Sequence, residues 1–247
     1  MFPEKMIILV PGNMMIQTPV TYQFTYGELN IDRSLVEQLM GYTDPGSCPD
    51  PVMESIEAAM SRGPELCNVR GGYVIAEGVK VDRENKQIIS HGQTFNTKQI
   101  VTHQMRRAQH AAWFLCTAGE DISAYARRLM DEGELIGGYA ADVLANAVVE
   151  SAMDRIQEDL KKKSIEAGMM ITNRYSPGYC DWDIAEQQKL FSIFDNEFLG
   201  ITLSSSSLMH PMKSVSGVIG IGKEVKFNAY TCNLCNQGNC LYRNSRS

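Results

Sequence analysis

Arg174-Tyr175-Ser176-Pro177-Gly178-Tyr179, followed by Cys180-Asp181-Trp182-Asp183, holds the residues best suited to binding a small charged molecule. A guanidinium is a planar fork of donors that matches a carboxylate. Beyond Arg174, Pro177-Gly178 makes a tight turn with no side chain at its tip, so backbone groups there can approach a ligand closely. Tyr179 adds a flat ring with a polar end, able to stack and to hydrogen-bond. Together these groups suit a zwitterion that carries a flat moiety. Read alone, the six residues are more simply a type I or II turn beside an exposed arginine.

A second set of reactive side chains closes the sequence. Cys232, Cys235 and Cys240 have C-x2-C-x4-C spacing with turn-forming Asn and Gly between them. Two thiolates so spaced can hold one zinc or iron, and the third arrives after a short loop. Zinc and a cubane iron-sulfur cluster each take four ligands as a rule. The fourth could be Cys180, or a group from a partner or from solution; a tail of unligated thiols is an equal alternative. With Cys48, Cys67 and Cys116 the cysteines number seven, which reads as free thiols plus a candidate metal site and not as a disulfide framework. Cys116, inside the apolar run 111–117, reads as a small buried hydrophobe.

The 247 residues suffice for a sizeable core, and 44% hydrophobic with 21% charged residues is ordinary for a soluble globular protein. A net charge of -6 and the lack of a basic face argue against nucleic acid. The apolar run 6–10 is far shorter than the ~20 residues that span a bilayer, and its flanks do not resemble a signal peptide. A cytoplasmic location is expected.

The elements that must position these groups follow from pattern. Residues 21–29 alternate as a strand, Asp32 caps a short helix to Met40, and Asp50-Pro51 opens a second helix that Gly63-Pro64 ends. Between residues 68 and 95 the pattern is that of antiparallel hairpins, with a turn at residues 82–85. A helix over 97–109, a buried strand over 111–117 and a helix over 119–130 come next. The longest helix is predicted from Glu134 to about Glu166; at 1.5 Å per residue it reaches roughly 45 Å. Ile136, Tyr139, Ala140, Val143 and Ala147 form its apolar stripe, and Glu150 falls in line with Val143. A carboxylate there either marks where the stripe meets water or faces a ligand. The run Lys161-Lys162-Lys163 reads as a solvated helix end. Residues 168–172 are predicted to be a strand that delivers Arg174 to an open sheet edge. Asp183 with Glu186 suggests a capping box opening a helix through about Phe194, and residues 201–203 and 215–221 supply further strands. The fold expected is α+β, a twisted and mainly antiparallel sheet with long helices packed around it, over residues 1–228, with 229–247 a cysteine-rich tail.

The hexapeptide 174–179, Met209-His210-Pro211 with Ser214-Val215-Ser216-Gly217, and the helical stretch 141–150 occur in an order and spacing that resemble the activation domain of cobalamin-dependent methionine synthase. The resemblance is clear over about residues 140–222, and the chain looks like a free-standing version of that domain. It implies binding of S-adenosylmethionine, with Arg174 on the carboxylate, Ser176, Pro177 and Gly178 at the backbone, Tyr179 beside the methyl or corrin edge, and Glu150 as a ligand-facing acid. Met209, His210 and Ser216 are implied near the ligand or the corrin. A family aspartate near the N-terminus has no counterpart, and a family tyrosine is replaced at Val218-Ile219. The implied function is reactivation in trans: reductive methylation of cob(II)alamin on a separate cobalamin-binding methionine synthase module, with an electron donor such as flavodoxin. Two alternatives stay open. One is service to another corrinoid protein, with the cysteine tail as a zinc or iron-sulfur site; the other is a non-enzymatic, metal-stabilised interaction module.

Overall fold

An uninterrupted apolar stretch is stable as a strand only where both of its faces are covered. The stretch 111–117 is of this kind. In the computed structural model, which describes residues 19–44, 46–195 and 197–228, it forms β6 (His110–Thr117) in the middle of a five-stranded sheet. Ala112, Phe114 and Cys116 face one side, and Ala111, Trp113 and Leu115 face the other. Around it stand β1 (Val20–Phe24), β2 (Val69–Glu77), β10 (Ser214–Gly222) and β7 (Met170–Tyr175), in the order β1-β2-β6-β10-β7 with every neighbouring pair antiparallel. The expected mixed fold with an antiparallel sheet is therefore present, and β7 is an edge strand as predicted.

One face of the sheet carries the long helix. α5 (Leu135–Glu166) runs for 32 residues, and Ala140, Val143, Leu144, Ala147, Ala152, Met153, Ile156 and Leu160 are buried along it. α1 (Arg33–Leu39), α2 (Asp50–Leu66) and α4 (Asp121–Asp131) pack over the same face, so α5 is covered on more than the side that touches the sheet. Ile136 and Tyr139, predicted as part of the apolar stripe, are exposed together with Leu135, because the first turn of α5 lies ahead of the packed cluster.

The opposite face is closed by β3 (Lys80–Asp82), β4 (Gln87–Ser90), β5 (Gln93–Phe95), α3 (Lys98–Met105), α6 (Gln187–Phe191) and the small ribbon of β8 (Thr202–Leu203) and β9 (Met209–His210). Its centre is aromatic: the Phe95 ring stacks on Trp113 with centroids 4.3 Å apart, and Trp182 meets both rings edge-on. Trp182 belongs to the segment that follows the Arg174 hexapeptide, so the site and this core share a stretch of chain.

Three local expectations are corrected. The strand predicted over 21–29 ends at Phe24, and Tyr26–Leu29 is a short 3-10 turn, because Glu28 reaches back to accept the Thr25 N–H at 2.7 Å. Gly63-Pro64 does not end α2; the Tyr26 ring occupies the space a side chain at 63 would need, and the Cys67 N–H closes one more turn on the Gly63 carbonyl. Asp183 does cap, accepting from the Ala185 N–H at 2.9 Å, but Glu186 turns away to accept from the Asn96 N–H, so no capping box forms and α6 ends at Phe191. The run 6–10 and the cysteines Cys232, Cys235 and Cys240 lie outside the described residues. No helix of the described residues is long and apolar enough to cross a membrane.

Candidate functional site

Successive side chains of a strand alternate between faces, so residues an odd number of positions apart face opposite sides. Ile171 lies on the α5 side with Ile219 and Ile221. Strict alternation would put Arg174 on the other side. Instead β7 pairs Ile171 with Ile221 and Arg174 with Ile219, which leaves Thr172 and Asn173 together opposite Gly220. This β-bulge resets the alternation. Arg174 comes round to α5, and Tyr175 turns into the Trp113 cluster.

The bulge is held by its own side chains. The Gly220 N–H donates to Thr172 Oγ1 at 2.8 Å, and the Arg174 N–H donates to Asn173 Oδ1 at 3.0 Å. Asn173 Nδ2 in turn donates to the Asn228 carbonyl at 3.2 Å. Thr172→Val keeps the shape but leaves the buried Gly220 N–H unpaired, a cost of about 1–3 kcal/mol. For a chain of this size the melting temperature should fall by about 2–12 °C. An unchanged melting temperature would show that the hydroxyl does not hold the bulge.

Once on the α5 side, the Arg174 side chain is only 9% exposed and meets two carboxylates. Nη2 lies 2.6 Å from Glu150 Oε2, Nη1 lies 2.7 Å from Asp154 Oδ1, and Nη1 also reaches Gln157 Oε1 at 3.4 Å. Glu150, Asp154 and Gln157 follow one another at helical spacing along one face of α5. Arg174 and Glu150, each named as ligand-facing by the resemblance, meet here, and Asp154 and Gln157 were not named, although their spacing from Glu150 places them on its face. The apolar stripe does not end at Glu150, since burial continues through Met153, Ile156 and Leu160. Beneath the pair, burial first and the Glu150 charge second push the Cys116 thiol up to about 12, against a lowering by Arg174. It stays a thiol at neutral pH and is no nucleophile.

The turn after β7 is closed by backbone bonds: the Tyr179 N–H donates to the Ser176 carbonyl at 3.2 Å, the Trp182 N–H to the Tyr179 carbonyl at 3.0 Å, and the Gly178 N–H to the Trp182 carbonyl at 2.7 Å. Gly178 has φ +91°, a conformation that favours glycine. Cys180 and Asp181 also take left-handed φ, of 54° and 62°, to bring the chain back inward. Trp182 is buried at the base while Tyr179 is 54% exposed at the tip. Pro177 is buried and Ser176 half-buried. The result is an aromatic ring displayed on a tight loop, just beyond the paired arginine.

The other predicted site residues are not gathered at Arg174. Ser216 is buried opposite Leu115, and Met209 packs half-buried against the same Trp113 cluster, so both belong to the face away from α5. Alternation along β10 decides this: Gly217 takes the α5 side, where a Cβ would run into the Phe114 ring and the Tyr175 carbonyl. His210 is exposed. Lys213 ties this segment to α5, 2.8 Å from Asp142 Oδ2 and 3.1 Å from Asn146 Oδ1. Val218 and Ile219, where the family tyrosine is missing, are the strand partners of Tyr175 and Arg174. Cys180 is half-buried beside the turn; the described residues hold no metal-sized group of His, Cys, Asp and Glu, and its three predicted co-ligands lie beyond them.

The sequence model of the family described as vitamin B12 dependent methionine synthase, activation domain, matches residues 76–244, well ahead of the clear resemblance near residue 140. No curated protein matches the sequence. Among solved structures, the crystal structure of the MetH reactivation domain bound to AdoHcy is similar at a TM-score of 0.63 and 14% identity, over 87% of this chain and 82% of that one. At that identity the likeness speaks to the fold, and the fold agrees with the sheet and helices described above. With most of its length matched by the family, this chain belongs to the vitamin B12-dependent methionine synthase activation domain family.

Proposed function

We propose that the chain binds S-adenosylmethionine at Arg174 and presents it to the corrin of a cobalamin-dependent methionine synthase module on a separate protein, supporting reductive methylation of cob(II)alamin there. The observation that carries this reading is a shielded guanidinium set between an edge strand and α5, with Glu150 against it and an exposed Tyr179 on the loop that follows. The donor set fits the ligand. One guanidinium suits the carboxylate of its methionine end. Glu150 suits its ammonium and sulfonium charges. The Tyr179 ring offers a stacking face to the flat adenine or to the corrin edge.

In such a site S-adenosylmethionine supplies the methyl group, the partner's cobalamin receives it, and an electron donor such as flavodoxin supplies the electron. The chain's own part is positional. Arg174 holds the carboxylate end, the backbone at Ser176, Pro177 and Gly178 lines the approach, and Glu150 orients the guanidinium through its 2.6 Å contact. Tyr179, on a turn closed by its backbone bonds to Ser176 and Trp182, presents its exposed ring to the partner. No side chain is required as nucleophile, general acid or general base.

Calorimetric titration of the protein with S-adenosylmethionine, followed by addition to an inactive cob(II)alamin-loaded methionine synthase module with reductant, tests both halves. Saturable binding together with methyl transfer that needs this chain is the expected result. Binding without any gain in methylcobalamin would refute service to that module. Absence of binding would refute the ligand assignment.

A further inference from the structure

We propose that Asp154 occupies the ligand end of the Arg174 fork in the free protein and is exchanged for the ligand's carboxylate on binding, so that it sets affinity at this site; the inference rests on the reading of the site as one for S-adenosylmethionine. Two carboxylates on successive turns of α5 hold the two ends of one guanidinium, and their surroundings differ. The Glu150 side chain is 31% exposed, whereas that of Asp154 is 63% exposed. At contact distances this close, 2.6 Å and 2.7 Å, hydration decides which partner lets go. Water competes well for the exposed carboxylate and leaves that pair little net strength, while the shielded pair keeps more of its attraction.

Access points the same way. Arg174 itself is nearly covered, and of the three side chains on α5 that hold its fork the carboxylate most open to water is that of Asp154 on Nη1. A carboxylate arriving from solution therefore meets Nη1 by taking the place of Asp154. The exchange conserves hydrogen bonds: one carboxylate leaves Nη1 for water and another takes its place. Gln157, whose Oε1 stands 3.4 Å from the same Nη1, is neutral and does not compete for the charge. An acid in this position also explains how the cation stays paired without a ligand, since an unpaired shielded guanidinium would be costly.

Titration of the whole chain with S-adenosylmethionine and, separately, with S-adenosylhomocysteine tests the exchange in wild type, Asp154→Asn and Asp154→Ser, each with a melting curve. Removing the competitor should tighten both ligands by about two- to fivefold, the worth of an exposed ion pair. The gain should shrink at about 1 M salt, where screening has already loosened the Asp154 contact. A purely structural role for Asp154 would move the melting temperature and leave that salt-dependent ratio unmoved. Wild-type binding with unchanged or weaker binding by both variants would overturn the exchange and leave the ligand assignment standing. Silence from wild type and both variants would overturn the ligand assignment, and the exchange with it.

Discussion

Arg174→Ala is expected to weaken S-adenosylmethionine binding by about 30-fold to several thousand-fold, the usual cost of removing one partner from a shielded, hydrogen-bonded charge pair. The reason lies in the guanidinium's position. The bulge at Thr172 and Asn173 turns it onto α5, Glu150 fixes its plane, and no other cation of the described residues is paired with either Glu150 or Asp154. Alanine leaves two carboxylates facing each other across the vacated place, so a ligand's carboxylate would meet repulsion where it had met a fork. Arg174→Lys separates charge from shape: it restores one positive charge without the planar fork, and should recover only part of the loss. The folded state should tolerate the change better than the ligand does. Glu150 and Asp154 are 31% and 63% exposed, so water can take over their solvation, and the stability cost should stay near about 1–2 kcal/mol. Wild-type affinity in Arg174→Ala would place the ligand elsewhere on the protein.

Trp182→Ala should produce the largest loss of stability, about 3–5 kcal/mol, as for other buried aromatics truncated to alanine. That corresponds to a fall in melting temperature of about 6–20 °C. The side chain is buried, meets Phe95 and Trp113 edge-on, and its backbone closes the loop through the Gly178 and Tyr179 bonds. A cavity there would unseat the loop as well as the core, so binding should weaken in molecules that remain folded. The indole N–H has no acceptor among the described residues, so Trp182→Phe gives up packing and no hydrogen bond. It should cost about 1–2 kcal/mol and keep binding. Comparable melting curves for the alanine and wild-type proteins would show that the aromatic cluster does not anchor the turn.

Much of this could be read from residues near one another in the chain. The Ala-rich periodicity of 135–166 specified a long helix, and Pro177-Gly178 specified a turn, because helix and turn depend on neighbours within a few positions. The apolar run 111–117 implied a strand covered on both faces, and the sheet confirms it. The strand predicted before Arg174 was likewise found, as an edge strand. Two of the errors arose where a distant group settled the outcome: Tyr26 against Gly63, and Asn96 drawing Glu186 out of its capping box. The cysteine tail, read as a candidate metal site, lies beyond the described residues.

At the site the same division holds. Residue types in the sequence singled out Arg174 and Tyr179, a fork and a ring on a Gly turn, while Glu150 joined them only through the resemblance to the family. Which of them meet was decided by tertiary structure. Alternation along a strand is a parity, and one extra residue at Thr172 and Asn173 inverts it, bringing Arg174 to α5 and to Asp154. The same parity sends Ser216 to the opposite face although it lies close to Ile219, the strand partner of Arg174. The hydrogen bonds that create the bulge join Thr172 to Gly220 and Asn173 to Asn228, pairs tens of residues apart whose meeting depends on the whole sheet being assembled.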